Sequence, residues 1–220
     1  MPRTTRRPTL TLDRICGTAG EVADREGLDG LSMRALARAL GVEAMSLYHH
    51  VPHKDALLDL MVDAVFAEFH DPRPDGDWRA ELRKRSEVGR AAMKRHPWAI
   101  GLMDSRRTPG PQTLQHHDAL LGCLRGAGFS LALTGHAAAL LDAHLYGFVI
   151  QEVSLPFDGS EELAELGAEM LPALAEGELV HFREFAVEYA LQPGYDFGRE
   201  FAYGLDLVLD GLADRLAAES

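Results

Sequence analysis

The residues best suited to chemistry lie between positions 32 and 54, where side chains able to contact phosphates or base edges follow one another closely. Arg34 carries a guanidinium that can donate two hydrogen bonds to guanine or reach a phosphate. Lys54 adds a positive charge at the start of a predicted helix, where the helix dipole also favours phosphate. Between them, a predicted helix leaves five side chains to face outward: Ala44, Met45, Ser46, Tyr48 and His49.

The elements that must position these side chains form a three-helix unit. Apolar residues at three- and four-residue steps predict helices over about 11–25, 33–40 and 43–50. Gly27 and Gly41 end the first two, Ser32 is of the type that caps the second, and Pro52 stops the third. The last two helices and their tight turn predict a helix-turn-helix, whose second helix presents N-terminal side chains to the major groove.

The rest of the chain shows helical spacing as well. Further helices are predicted over about 54–70, 77–95, 97–104, 111–127, 130–154, 160–176, 180–191 and 196–218, separated by proline and glycine. No segment alternates apolar and polar residues as a strand does. The predicted fold class is all-α: a helix-turn-helix domain in residues 1–54, a connecting helix at about 54–70, and a larger helical domain in residues 71–220.

Charge is distributed unevenly along this 220-residue chain, which is 46% apolar and carries a net charge of −12. Residues 1–54 contain eight Lys and Arg against six acidic residues, whereas residues 55–220 contain fourteen against twenty-eight. A polyanionic partner is therefore expected at the first quarter of the chain.

Several classes of protein are disfavoured. The sequence lacks the nucleophile-elbow, dinucleotide-binding, P-loop and His-Glu-x-x-His motifs of enzymes. A helical scaffold that binds only protein would leave residues 32–54 without a role. Cys16 and Cys123 lie far apart in apolar segments, which favours a reducing, cytoplasmic setting over a disulfide framework. No apolar run is long enough to span a bilayer, and no membrane partner is expected.

The histidines do not form a convincing metal site, and no cofactor is expected. Pro52 interrupts the helical spacing that would bring His49 and His53 together, so that zinc is disfavoured there. His50 is expected to brace the end of its helix or to contact phosphate. His144 lies in an apolar run, and two interpretations stay open: a core histidine bonded to a backbone carbonyl, or a ligand contact.

The run LDGLSMRALARALGVEAMSLYHHVPHKDALL at residues 28–58 resembles the DNA-binding domain of the tetracycline-repressor (TetR) family of bacterial regulators. In the remaining chain, Trp78, the Gly-Phe-Ser motif at 128–130 and the long helix before Pro156 are similar to the family's tetracycline-repressor branch. The resemblance implies a homodimer, paired through C-terminal helices, that binds a palindromic operator and is released by a small-molecule effector. Tyr203, Leu207 and Gly211 share one face of the last helix and fit either such a dimer seam or an internal core.

Roles for individual residues follow from the resemblance. The positions of Ser32, Tyr48 and Lys54 contact the phosphate backbone in the family, and other positions read or approach bases: Arg34, Ala44, Met45, Ser46 and His49. Because Ala44 and Met45 cannot form side-chain hydrogen bonds, contact with thymine methyl groups is the role expected of them. These departures from the tetracycline repressor predict a different operator.

The effector is expected among the helices of the larger domain. In the tetracycline-repressor branch, a histidine near the position of His70 and a glutamate near that of Gln151 help to hold a metal-chelated drug. Because the glutamate and a drug-contacting asparagine are missing here, binding of tetracycline with magnesium is not expected. The predicted contacts are His70, Trp98, Met103, His117, Leu121, His144, Phe148 and Gln151.

The sequence thus predicts a DNA-binding transcriptional repressor that is not an enzyme. Its expected partners are a double-stranded DNA operator, a small-molecule effector and a second copy of itself. The alternative is a regulator of the same architecture without a small-molecule ligand, switched by a protein partner.

Overall fold

The computed structural model describes residues 9–103, 105–157, 159–175 and 179–219, and these residues form helices without a strand. The helices are α1 (Leu12–Gly30), α2 (Met33–Leu40), α3 (Ala44–Tyr48), α4 (Lys54–Phe66), α5 (Trp78–Arg95), α6 (Pro97–Met103), α7 (Pro111–Gly126), α8 (Leu131–Val153), α9 (Ser160–Ala175), α10 (Val180–Phe185) and α11 (Gly198–Glu219). A π-helical turn at Ala186–Ala190 extends α10. The predicted all-α fold class is confirmed.

Glycine and proline set the helix boundaries much as predicted, with a few differences. The break at Gly27 is present as a residue with a φ of 68°, but one more helical turn follows it. The third helix is shorter than predicted and ends at Tyr48, and α4 ends at Phe66. Residue 104 and Gly177, which were predicted to end two of the later helices, lie outside the described residues.

Side-chain caps fix the starts of five helices. Ser32 Oγ accepts a hydrogen bond from the Ala35 amide at 3.1 Å, as its position predicted. Thr11, Asp77 and Ser130 act in the same way on α1, α5 and α8. His53 caps α4, since its Nδ1 accepts from the Ala56 amide at 3.1 Å.

Two hydrophobic cores divide the chain, and α4 belongs to both of them. The N-terminal core joins α1, α2 and α3 to the first half of α4 through Leu57, Leu58 and Met61. The C-terminal core packs α5 to α8 and α11 around Val65 and Phe66 in the second half of α4. Because neighbouring turns of one helix serve both cores, α4 links the helix-turn-helix to the body.

Candidate functional site

The second helix of the helix-turn-helix is held by its apolar side and exposes its polar side. Leu47 is completely buried in the N-terminal core, and so is Val51 just beyond the helix. Gly41 adopts a left-handed conformation with a φ of 68°, which allows the tight turn between α2 and α3. Arg14 of α1 donates to the Leu40 carbonyl at 3.2 Å and fixes the end of α2. The turn and these anchors determine which residues of α3 face outward.

The predicted DNA-contacting residues lie at the start of α2, along α3 and at the start of α4. Met45 is 70% exposed. The other exposed residues of the set are Ser32, Arg34, Tyr48, His49, His50 and Lys54. Ala44 and Ser46 are half-buried, and Ala44 packs against the N-terminal core. A large apolar side chain thus projects from the middle of α3, while cations and hydroxyls lie around it.

Lys54 is held in place by a hydrogen bond to α1. Its Nζ donates to the Leu28 carbonyl at 3.1 Å, just beyond the kink in α1. This contact fixes the ammonium beside the N-terminus of α4, where the helix dipole is positive and favours an anion. Sequence spacing predicted the charge at this place but not its anchor.

The predicted effector residues are distributed over several parts of the body rather than around one cavity. Met103 is a buried core residue, Leu121 is exposed on α7, and Gln151 is exposed on α8. His117 bonds through Nδ1 to the Thr113 carbonyl at 2.8 Å. Trp98 packs against both cores. None of the eight lines the cavity of about 630 Å³ at the end of α8.

His70 and His144 both have partners inside the protein. His70 Nε2 lies 2.6 Å from Glu81 Oε2, and this contact together with Arg73 lowers the pKa of the buried Glu81 carboxyl to about 2. His144 Nε2 lies 3.1 Å from the Phe201 carbonyl, and its ring stacks on the Phe201 ring. This contact is the carbonyl bond expected of a core histidine, and a ligand contact by His144 stays a prediction.

A buried polar cluster that the sequence did not predict lies between α5, α7 and α8. The side chain of Arg85 is fully buried; its Nε donates to His116 Nε2 at 2.9 Å and its Nη2 to Asp142 at 2.6 Å. Burial and the Arg85 charge lower the pKa of His116 to about 4. Since Nε2 accepts from Arg85, the ring proton of neutral His116 is on Nδ1, which donates to Asp71 at 3.0 Å.

A second polar cluster joins the body to the helix-turn-helix unit. His96, between α5 and α6, lies with Nδ1 2.8 Å from Asp24 Oδ1 in α1 and with Nε2 3.1 Å from Glu68 Oε1 after α4. The indole of Trp98 donates to the same Asp24 oxygen at 2.6 Å. We call these four residues the His96 clamp. Nothing in the local sequence marks it, because its members lie on three separate segments.

An apolar face remains exposed on α8 and α11. Tyr203 is 65% exposed and Leu207 is 58% exposed, so these two residues do not belong to an internal core. A shallow groove between the two helices is lined by Leu133, His136, Leu140, Leu207, Val208, Gly211, Leu212 and Arg215. A Cβ added to Gly211 would meet no atom within 4 Å, which leaves room for close approach by another chain.

Within the described part of the chain, no group of three or more His, Cys, Asp or Glu side chains is arranged to hold a metal ion. No helix among these residues is both long and apolar enough to cross a membrane.

Comparison with known proteins places this geometry in a family context. Residues 15–61 match the model for "Bacterial regulatory proteins, tetR family" and residues 71–216 that for "Tetracyclin repressor-like, C-terminal domain". The chain is 34% identical to the transcriptional repressor DrrR1 of Streptomyces coeruleorubidus, a match that covers 94% of this chain and 78% of that protein. It is 31% identical to the class A tetracycline repressor of Escherichia coli, over 94% and 92% of the two chains.

A solved structure shares the overall architecture. The Streptomyces coelicolor TetR-family protein ActR, crystallised with actinorhodin, superposes with a TM-score of 0.76 at 28% identity, covering 95% of this chain and 99% of that one. These similar proteins are regulators, which is the class that the sequence predicted in place of an enzyme.

Proposed function

The chain belongs to the TetR family of bacterial transcriptional regulators, and from that premise we propose that it represses transcription as a homodimer on a palindromic operator and is released by a small-molecule effector. The observation that carries the proposal is α3, which is anchored by a fully buried Leu47 and exposes Met45 and Tyr48. A helix that exposes large side chains beside cations is suited to the major groove.

The proposed contacts divide between bases and phosphates. Arg34 donates to guanine, whereas Met45 and Ala44 contact thymine methyl groups. Ser46 and His49 approach base edges. Phosphate contacts come from four residues at the margins of α3 and the starts of α2 and α4: Ser32, Tyr48, His50 and Lys54.

The homodimer is supported by the exposed face on α8 and α11. Tyr203 and Leu207 are more than half exposed, so their apolar area stays in contact with water unless another apolar surface covers it. A second copy presents the same face, and pairing about a two-fold axis covers both. That symmetry matches a palindrome, whose half-sites lie about 34–36 Å apart or a multiple of that distance.

The effector is supported by the relatives, since ActR was crystallised with actinorhodin. We propose residues 1–54 as the DNA-binding domain and residues 71–220 as the effector-binding and dimerisation domain, with α4 between them. The two hydrophobic cores support this division. Effector contacts remain proposed at His70, Trp98, Met103, His117, Leu121, His144, Phe148 and Gln151.

The test is selection of bound sequences from a random pool of duplexes, followed by titration of the selected site at several salt concentrations. We expect a palindrome, bound by two chains, with an affinity that falls steeply as salt rises because phosphate contacts release counterions. Light scattering of the free protein measures the number of chains. A folded protein that enriches no sequence, after denatured samples are shown by mass spectrometry to hold no co-purified ligand, would contradict the proposal.

A further inference from the structure

The last turn of α1 is set off from the rest of the helix by a kink at Gly27. This residue has a φ of 68° and a ψ of 178°, whereas the other residues of α1 are helical. Such a pair of angles is essentially restricted to glycine, because a side chain would collide with its own backbone. A Cβ built on Gly27 would meet nothing else within 4 Å. Glycine is therefore required here by the backbone angles and not by a lack of space.

The kink places Leu28 so that its side chain and its carbonyl have separate partners. The side chain packs against the N-terminal core. The carbonyl accepts from the Leu31 amide at 3.3 Å and from Lys54 Nζ at 3.1 Å. The last carbonyls of a helix lack partners within the helix and form the negative end of its dipole, which attracts a cation. Since the ψ of Gly27 sets the direction in which the chain continues to Leu28, it also determines where this acceptor lies.

Lys54 lies between the negative end of α1 and the positive end of α4. It is exposed and is the first residue of α4, whose N-terminal amides favour a phosphate. The ammonium has three donors, of which the Leu28 carbonyl takes one and two remain for a phosphate oxygen. The neighbouring Asp55 carboxylate lies 3.9 Å from a cation of its own, Arg106. A lysine that is already held in this position loses less rotamer freedom when it binds than a free one does.

We propose that Gly27 is a positioning residue for DNA binding: its kink presents the Leu28 carbonyl to Lys54 and thereby holds the Lys54 ammonium ready for an operator phosphate. The inference rests on the proposed function for the DNA contact, and it adds the residue that prepares this contact. Gly27 acts through Lys54 and needs no contact with DNA of its own.

The first test measures the reactivity of Lys54 without DNA. The chain has three lysines, Lys54, Lys84 and Lys94, so limited acetylation of the full-length protein with acetic anhydride, followed by mass spectrometry, gives a rate for each. The Lys54 amine must leave the Leu28 carbonyl before it reacts, and Lys84, exposed on α5, is the internal reference. We expect Gly27→Ala to raise the ratio of the Lys54 rate to the Lys84 rate by at least about threefold, which is within the range for one exposed hydrogen bond.

Gly17→Ala is the matched control. Gly17 lies in the same helix, is not among the glycines with positive φ, and has equal room for a methyl group. This variant should leave the ratio of the two lysine rates at the wild-type value.

The second test is a double-mutant cycle on operator affinity. Ordering one long side chain at an interface costs about two- to tenfold in affinity, so a dimer in which both copies of Lys54 are released by Gly27→Ala should bind at least about fivefold more weakly. In the Lys54→Ala background, Gly27→Ala should change the affinity by less than about twofold, because the side chain that it positions is gone. Gly17→Ala should keep the affinity of its background in both cases.

A purely structural role for Gly27 gives a different pattern. Gly27→Ala would then weaken operator binding by the same factor with and without the Lys54 side chain, or would leave the ratio of the lysine rates unchanged, and either result overturns the inference. Circular dichroism checks that each variant is folded at the assay temperature.

Gly27→Asn keeps the inference testable if Gly27→Ala does not fold. Asparagine tolerates a positive φ best among the other residues, but with a ψ of about +30 to +60°, so it turns the Leu28 carbonyl away from Lys54. It should raise the ratio of the lysine rates as Gly27→Ala does, and an unchanged ratio overturns the inference. If sequence selection yields no operator, the proposed function fails, whereas lysine reactivity still decides whether Gly27 positions Lys54.

Discussion

The buried Arg85–His116 pair predicts a specific dependence of stability on pH. Burial and the Arg85 charge lower the pKa of His116 from 6.5 to about 4. Below pH 6.5 the unfolded chain takes up a proton at this histidine, whereas the folded chain does not until about pH 4. The unfolded state therefore binds more protons in this window, and the free energy of unfolding falls as the pH is lowered. Above pH 6.5 this contribution is fully present.

The size of this loss of stability follows from the size of the pKa shift of His116. Each pKa unit corresponds to about 1.4 kcal/mol, and at pH 6.5 the histidine of the unfolded chain is already half protonated, so lowering the pH from 6.5 to 5 removes about 1.6 kcal/mol of stability through His116 alone. The pKa of the Glu81 carboxyl is lowered to about 2, so this group affects stability at a lower pH than His116 does. Its stabilising contribution is present above its ordinary pKa of 4.5 and is lost only below that value. The window from pH 5 to 6.5 therefore separates the two groups.

The assay is urea unfolding at a series of pH values and at one fixed protein concentration, since dimerisation would add a concentration dependence. The matched variant is His116→Gln, whose amide can accept from Arg85 and donate to Asp71 without titrating. Subtracting the two pH profiles isolates the contribution of His116 from those of the other histidines. Identical slopes for the wild type and His116→Gln between pH 6.5 and 5 would refute the argument that burial keeps this ring neutral.

Other predictions concern single side chains. Leu207→Asp should convert the dimer into monomers in light scattering, because it buries a charge in the α8–α11 face, whereas the equally exposed Leu179→Asp on the N-terminal side of α10 should not. Arg34→Ala should relax specificity at one base pair by about 1–3 kcal/mol in a binding assay with operator variants; equal weakening at every sequence would contradict base reading. Lys54→Ala should weaken all sequences alike and reduce the salt slope by about one. Leu47→Ala should lower the free energy of unfolding by about 2–5 kcal/mol in urea, and a loss well below this range would show that Leu47 is not the anchor of α3.

The helices were predictable because their limits depend on local chemistry. Gly41 adopts the left-handed conformation expected at the end of α2, and Ser32 caps its start. Pro97 follows the end of α5 and begins α6. Each of these effects acts within one turn of the chain, so a single sequence carries enough information for it.

The polar clusters of the body were not predictable, because they depend on contacts between distant helices. Arg85 and His116 are 31 positions apart, and His96 and Asp24 are 72 apart. Periodicity places each side chain on a face of its helix but does not say which face of another helix it meets. The predicted effector residues rest on the family resemblance at His70 and Gln151 and on apolar or histidine positions in the expected helices, and the structure gives most of them ordinary packing partners.

The arrangement of α4 explains why a polar contact is a suitable place for regulation. The apolar link between the two units runs through α4, with Leu58 in the N-terminal core and Val65 in the C-terminal core, and through Trp98 of α6, which packs against both cores. Breaking this link would expose buried apolar surface at about 25 cal/mol per Å², which makes it a costly element to switch. The His96–Asp24 contact instead joins partly exposed polar groups, whose loss water can largely compensate. Opening the clamp therefore lets the N-terminal unit, which includes the first half of α4, move relative to the body while both cores stay packed.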